Sequence, residues 1–255
     1  MYYLKMISKD SLINSIFYTR TTTCKDEKDH LVEVEDNISV GVRLYFKDKT
    51  FNNILFFHGN AELAHEYSDI ASFFHSFNLN LIVADYRGYG LSGGVPTKDN
   101  LQTDSIIIFD YIKDYLNKNN FYQKLYVMGR SLGSASAAHI VNNREDQLDG
   151  CIIESGFATE YCLLELMNID PNDISFSLVD GFDNLKKFKK YKKPLLIIHA
   201  DLDDIIPISQ ADMLLVESGS AIKDMFKVDG ANHNNIIMMA REEYFMKIRD
   251  FIENT

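Results

Sequence analysis

Five residues constrain this chain more than any others. Gly129-Arg130-Ser131-Leu132-Gly133 stands between the apolar run Leu125-Tyr126-Val127-Met128 and the small-residue stretch Ser134-Ala135-Ser136-Ala137-Ala138. The first flank reads as a buried strand and the second as the start of a helix, so the pentapeptide has to turn the chain sharply between them. A turn that tight needs glycine on either side of its apex, because a Cβ there would keep strand and helix apart. The apex residue, Ser131, takes a strained backbone conformation and carries its hydroxyl above the edge of the sheet. A G-x-S-x-G pentapeptide alone is common by chance; the strand before it and the helix after it give it meaning.

A serine hydroxyl is a weak nucleophile at neutral pH and needs a base to take its proton, with an acid to orient that base. For an order in which nucleophile, acid and base follow one another along the chain, His30, His58, His65 and His75 come too early, and His139 lies in the helix after the elbow. His199 and His233 remain. His199 sits inside the apolar run Pro194-Leu195-Leu196-Ile197-Ile198-His199-Ala200, which reads as a buried parallel strand where a histidine packs or braces a loop. His233 stands in the polar turn Val228-Asp229-Gly230-Ala231-Asn232-His233-Asn234-Asn235 and is the candidate base. For the acid, spacing alone leaves Asp201, Asp203 and Asp204 open, with Glu154 at the end of Cys151-Ile152-Ile153-Glu154 as a fourth candidate.

Five segments in order, Phe56-Phe57-His58-Gly59-Asn60-Ala61, Asp85-Tyr86-Arg87-Gly88-Tyr89-Gly90-Leu91-Ser92, the elbow, His199-Ala200-Asp201-Leu202-Asp203-Asp204-Ile205-Ile206-Pro207 and Gly230-Ala231-Asn232-His233-Asn234, resemble the α/β-hydrolase family. The similarity runs over about residues 30–254 and is greatest to small serine hydrolases of the lysophospholipase-like and acyl-protein depalmitoylase-like kinds. It implies that the acid is Asp203, four positions after the strand histidine and four before the proline. It also implies that the backbone N–H groups of Asn60 and Leu132 receive the oxyanion, that His58 holds its loop by hydrogen bonds, and that Asp85 and Arg87 are loop scaffolding with Tyr86 near the pocket mouth. Ala200 departs from the pattern, where glycine is usual; the change tightens that turn and removes no reacting group.

The rest of the chain predicts one α/β domain over residues 1–255, a mostly parallel central sheet with helices on both faces and an antiparallel hairpin at its N-terminal side. Residues 30–46 alternate apolar and polar side chains about a turn near Asp36-Asn37, and strand-like runs then alternate with helical ones. Helices are expected over 97–118 and 236–252. In such sheets ligands sit outside the carboxyl ends of the strands, where every candidate residue lies. Residues 155–193 exceed what one helix and two loops need and are read as a short cap, with Phe157, Tyr161, Leu164 and Met167 as candidates to line an acyl-sized pocket. The site is expected to be fairly open and to take small or single-chain acyl substrates.

With 26 basic against 37 acidic residues, the net charge of −11 argues against nucleic acid as a partner. The local basic run Lys186-Lys187-Phe188-Lys189-Lys190-Tyr191-Lys192-Lys193 reads as a solvated helix end, or else as a contact for anionic lipid headgroups or an acidic protein. Three cysteines, Cys24, Cys151 and Cys162, have no metal-ligand spacing and an odd count, which favours a reducing compartment. Charges interrupt the N-terminus too early for a signal peptide, and no apolar run reaches membrane-spanning length, so a cytoplasmic location is expected. No metal or organic cofactor is implied, and no feature fixes an oligomeric state. The chemistry expected is cleavage of a carboxylic ester or thioester through an acyl-enzyme, with lipase-like and peptidase substrates as alternatives. The reading from another class is a binding protein on the same fold, which the complete nucleophile, base and acid set disfavours.

Overall fold

A computed structural model describes residues 8–255; the N-terminal reading at residues 1–7 lies outside the described residues. Eight strands form one sheet: β1 (Asp29–Glu35), β2 (Ile38–Tyr45), β3 (Asn52–Phe57), β4 (Leu79–Ala84), β5 (Leu125–Arg130), β6 (Gly150–Glu154), β7 (Leu195–Ala200) and β8 (Lys223–Val228). Their order is β1-β2-β4-β3-β5-β6-β7-β8, antiparallel at β1/β2 and β2/β4 and parallel from β4 to β8. The hairpin turns at Asp36-Asn37 as expected, with Asn37 in the left-handed region at φ 65°.

The helices are α1 (Lys9–Asn14), α2 (Ser68–Ser76), α3 (Lys98–Lys118), α4 (Gly133–Arg144), α5 (Tyr161–Leu166), α6 (Asn184–Lys190), α7 (Ser209–Glu217), α8 (Ile236–Ala240) and α9 (Glu242–Asn254). Alternate side chains of the inner strands feed two cores. Leu125, Val127, Leu195 and Ile197 join the core under α3, α4 and α6, whereas Tyr126, Met128, Leu196 and Ile198 join the core under α2 and α9. Helix α3 starts where the sequence places it, because Thr97 caps it: the Asn100 amide donates to Thr97 Oγ1 at 3.2 Å and the Thr97 amide to Asn100 Oδ1 at 2.7 Å. The helix expected over 236–252 is instead two, broken at Arg241 (φ 53°). Beyond the break, α9 buries Tyr244, Phe245 and Ile248, with Phe245 edge-on to Phe74 of α2.

The chain runs from β3 to β4 on one side and then crosses by α3 to β5 on the other side of β3. Loops leaving β3 and β5 therefore diverge and open a crevice at the carboxyl end of the sheet. The elbow sits there. Ser131 has φ 51°, a left-handed conformation that costs a non-glycine residue stability and persists only where surroundings enforce it. What enforces it is close packing: a Cβ on Gly133 would run into the carbonyl of Phe57 at the end of β3, and one on Gly129 into the carbonyl of Gly133.

In the basic run Lys186, Lys189, Lys190 and Lys192 are exposed, but the aromatics between them are not. Phe188 and Tyr191 are in the core, and the Lys187, Lys192 and Lys193 ammonium groups donate to the carbonyls of Phe182, Gly219 and Leu148. Lys189 pairs with Glu217 and Lys186 with Asp183. The aromatics that would enter a lipid surface point inward, so a membrane contact through 186–193 loses its anchors. Among the described residues no helix is long and apolar enough to cross a membrane.

Residues 155–193 hold α5, a turn of 3-10 helix at Leu178–Asp180 and α6. Glu160 is buried at the start of α5; its Oε1 accepts the Phe182 amide at 2.6 Å and its Oε2 has no hydrogen-bond partner among the described residues. Burial pushes its carboxyl up to about 7, despite bonds from backbone amides and the nearby Lys187 ammonium. A carboxyl whose folded pKa lies above its ordinary 4.5 takes up a proton on folding between those values, so its contribution falls as pH rises from about 4.5 to about 7.

Two outcomes follow from this packing. Gly133→Ala is expected to cost at least about 2 kcal/mol, read as a lower urea midpoint at unchanged slope. The stability of the wild type relative to Glu160→Gln is expected to decline by up to about 3 kcal/mol from pH 5 to 7.5. The comparison cancels His139, whose imidazole burial lowers to about 4, and stays below the range of Lys187, which burial lowers to about 8. A flat difference across that range excludes the Glu160 assignment.

Candidate active site

Three side chains from the ends of three strands meet at the crevice. Ser131 follows β5, Asp203 lies in the turn after β7, and His233 lies in the loop after β8. His233 Nε2 is 3.1 Å from Ser131 Oγ, and His233 Nδ1 is 2.8 Å from Asp203 Oδ2 and 3.0 Å from Oδ1. With Nδ1 donating to the carboxylate, Nε2 is left as an acceptor for the serine proton. Asp203 Oδ1 also accepts the amides of Ile205 and Ile206 at 3.0 and 2.8 Å. Burial works to raise the Asp203 carboxyl, but the His233 bond and charge and the Ile206 amide carry it below its ordinary value.

Among the other acid and base candidates, Asp204 is exposed, and His199 Nε2 lies 3.5 Å from Asp203 Oδ2. Of the acids, Asp201 accepts the Gly230 amide at 2.7 Å, and Glu154 pairs with Arg130 and accepts the Tyr244 hydroxyl. His199 Nε2 donates to the carbonyl of Ile206 at 2.8 Å, bracing the turn that carries Asp203. Burial lowers its pKa.

The loop after β3 is built on His58. Its Nδ1 faces the carbonyl of Gly59 at 2.7 Å and its Nε2 the carboxylate of Asp85 at 3.0 Å. Burial alone would lower the imidazole, yet Asp85 and these bonds hold it above its ordinary value, consistent with a ring donating from both nitrogens. Asn60 and Leu132 both border the cleft that holds Ser131. Their backbone N–H groups have no hydrogen-bond partner among the described residues. The Asn60 side chain braces its loop: Nδ2 donates to Ile16 O at 2.7 Å, and Oδ1 accepts the Tyr18 amide and the Tyr89 hydroxyl at 2.9 and 2.7 Å.

The cleft has a volume of about 510 Å³, within the usual range for small-molecule sites. One wall is apolar, formed by Ile16, Phe157, Leu163, Leu166, Met167 and Ile205; the other is polar, with Glu62, Arg130 and Asn234. Of the pocket residues expected from sequence, Phe157 and Met167 border this cleft and Tyr86, Tyr161 and Leu164 do not. Tyr86 is buried behind the loop after β3, its hydroxyl donating to His58 O at 2.5 Å. Tyr161 turns to the far side of α5, edge-on to Phe176, and Leu164 packs wholly into the core. Helix α5 has one and a half turns, so its neighbours Leu163 and Leu166 take the cleft-facing positions instead. Ser15 and Ile16, just after α1, complete the wall. No sequence signal marks them, because a six-residue helix carries too little periodicity to show a buried face.

The family described as "Serine aminopeptidase, S33" matches residues 48–161. Protein bem46 of Schizosaccharomyces pombe is 27% identical over 210 residues, covering 78% of this chain and 66% of the relative. The lysophosphatidylserine lipase ABHD12 of Rattus norvegicus is 26% identical over 217 residues, covering 70% of this chain and 53% of the relative. The chain thus spans about half to two thirds of the length of the curated relatives it matches. Among solved structures, the esterase Pf2001 of Pyrococcus furiosus superposes with a TM-score of 0.73 at 17% identity, over 93% of this chain and 98% of that one. A superposition that runs along nearly the whole chain gives this protein the α/β-hydrolase fold, and over residues 48–161 its sequence is similar to a hydrolase family.

Proposed function

We propose that this protein is a serine hydrolase that cleaves carboxylic esters or thioesters through an acyl-enzyme. The observation that carries the reading is the continuous hydrogen-bonded line Asp203–His233–Ser131 beside a cleft with one apolar wall. Ser131 Oγ attacks the acyl carbon while His233 Nε2 takes its proton. Asp203 keeps the proton on Nδ1 and stabilises the imidazolium. The carbonyl oxygen gains charge as the tetrahedral centre forms, and the free amides of Asn60 and Leu132 are the donors proposed for it. His233 then protonates the leaving oxygen or sulfur, and by the reverse sequence activates a water that releases the acid and frees Ser131.

Substrate size follows from the cleft. The wall of Leu163, Leu166, Met167 and Ile16 suits a hydrocarbon chain, and segment 155–193 is proposed as the short cap that supplies most of it. A single-chain acyl substrate fits that wall; the lipase name of ABHD12 points the same way. An amide or peptide substrate is the second reading, favoured by the description of the matching family.

Purified protein is expected to react stoichiometrically with a fluorophosphonate at Ser131 and to hydrolyse nitrophenyl esters. Ser131→Ala should abolish labelling. Asp203→Asn should keep the fold and lower kcat by about 10⁴-fold, since it loses control of the imidazole tautomer. A Ser131→Ala protein that hydrolyses these esters at the wild-type rate excludes the proposal. An acyl-length series of esters, thioesters and amides then separates the two substrate readings.

A further inference from the structure

We propose that Arg130 is a positioning residue, tying the loops after β3 and β8 to the elbow so that the main chain of His233 is fixed relative to Ser131. The inference rests on the hydrolase reading above and adds to it a residue outside the reacting set. Arg130 immediately precedes the nucleophile, and its side chain is 12% exposed. Its Nη2 donates to His233 O at 2.7 Å and approaches Asn234 Oδ1 at 3.4 Å. Among the described residues it is the donor to that carbonyl. Its Nε donates to Glu154 Oε1 at 3.1 Å, at the end of β6, and its Nη1 pairs with Glu62.

Glu62 carries the connection onward. Its Oε2 accepts the Gly59 amide at 2.8 Å, in the loop that presents Asn60, and the Tyr67 hydroxyl at 2.5 Å. Burial would raise the Glu62 carboxyl, but the Arg130 charge holds it below its ordinary value. The packing is specific to this pair: a Cβ on Gly59 would lie 2.5 Å from Arg130 Nη1 and 2.9 Å from Glu62 Oε1. Glycine at 59 therefore leaves room for the guanidinium to reach across.

Apart from the contact of the His233 ring with Ser131, the other bonds found in the histidine loop do not span to the elbow. The Asn232 amide donates to Asn235 Oδ1, the Asn234 amide to Asn232 Oδ1, and the Gly230 amide to Asp201 Oδ1. These shape the loop and join it to the turn after β7. Arg130 fixes its distance from Ser131. A planar guanidinium serves three segments at once through a rigid fork; a lysine ammonium on a flexible stem cannot reproduce that geometry.

The test begins with wild type and Ser131→Ala, compared for fluorophosphonate labelling and nitrophenyl ester turnover. Arg130→Lys is then expected to stay folded by circular dichroism while kcat falls by about 10²-fold with KM nearly unchanged, the size expected when a base is misplaced by about 1 Å. Arg130→Ala should lose at least as much, and added guanidinium ion should restore part of its kcat without changing its melting temperature. If Arg130→Ala does not fold, Arg130→Lys decides alone. Wild-type turnover with Arg130→Lys at an unchanged kcat overturns this inference and leaves the hydrolase reading standing. Loss of kcat only in step with loss of folded protein overturns it too. Absence of Ser131-dependent turnover in the wild type overturns both.

Discussion

The close seat of helix α4 against the end of β3 is the constraint on which the rest of the site depends. Without side chains at Gly129 and Gly133, the elbow can fold tightly enough for the first turn of α4 to rest on the carbonyl of Phe57. That contact holds Ser131 in a backbone conformation costing on the order of 1–3 kcal/mol. Inner strands buried on both faces of the sheet bear the cost. The same contact brings Leu132 beside the loop after β3, so one piece of packing sets both the Ser131 hydroxyl and its neighbouring amide.

Around that elbow the protein buries charge only where it is matched. Asp203 is satisfied by His233 and two amides, His58 by Asp85 and a carbonyl, and Arg130 by Glu62, Glu154 and the carbonyl of His233. An unmatched ion at these positions would cost several kcal/mol, so each partner fixes the other. The result is a set of dipoles and charges aligned in advance, which is what the proposed hydrolysis requires of its site. The apolar wall contributes differently, through short elements that fill space without directional bonds.

Strands were legible where burial on both faces made them continuously apolar. The runs ending at Glu154 and Ala200 both end at observed strand ends. The break at Arg241 was not legible, because apolar spacing continues across it and only packing of Tyr244 and Phe245 reveals the change in direction. Pocket residues were the least readable. Phe157 and Met167 lie on the cleft wall, but Tyr161 and Leu164 face elsewhere, since a helix of six residues can present any of its sides, and Tyr86 turns its hydroxyl to the carbonyl of His58. The lysines of 186–193 looked free in the sequence, and in three dimensions five of the six meet carbonyls or carboxylates, several of them on distant segments.

By itself the sequence determined the order of strands and helices, the glycines that a tight turn after β5 demands, and which serine, carboxylates and histidines follow strand ends. Those are local properties, set by side-chain volume, backbone freedom and apolar spacing over a few residues. The tertiary structure decided which of them meet. It brought residues 131, 203 and 233 within hydrogen-bond reach, sent Glu154 to Arg130 and Tyr244, and put Ile16 on the cleft wall. Such contacts depend on how the sheet twists and where crossovers return, which no short stretch of chain encodes.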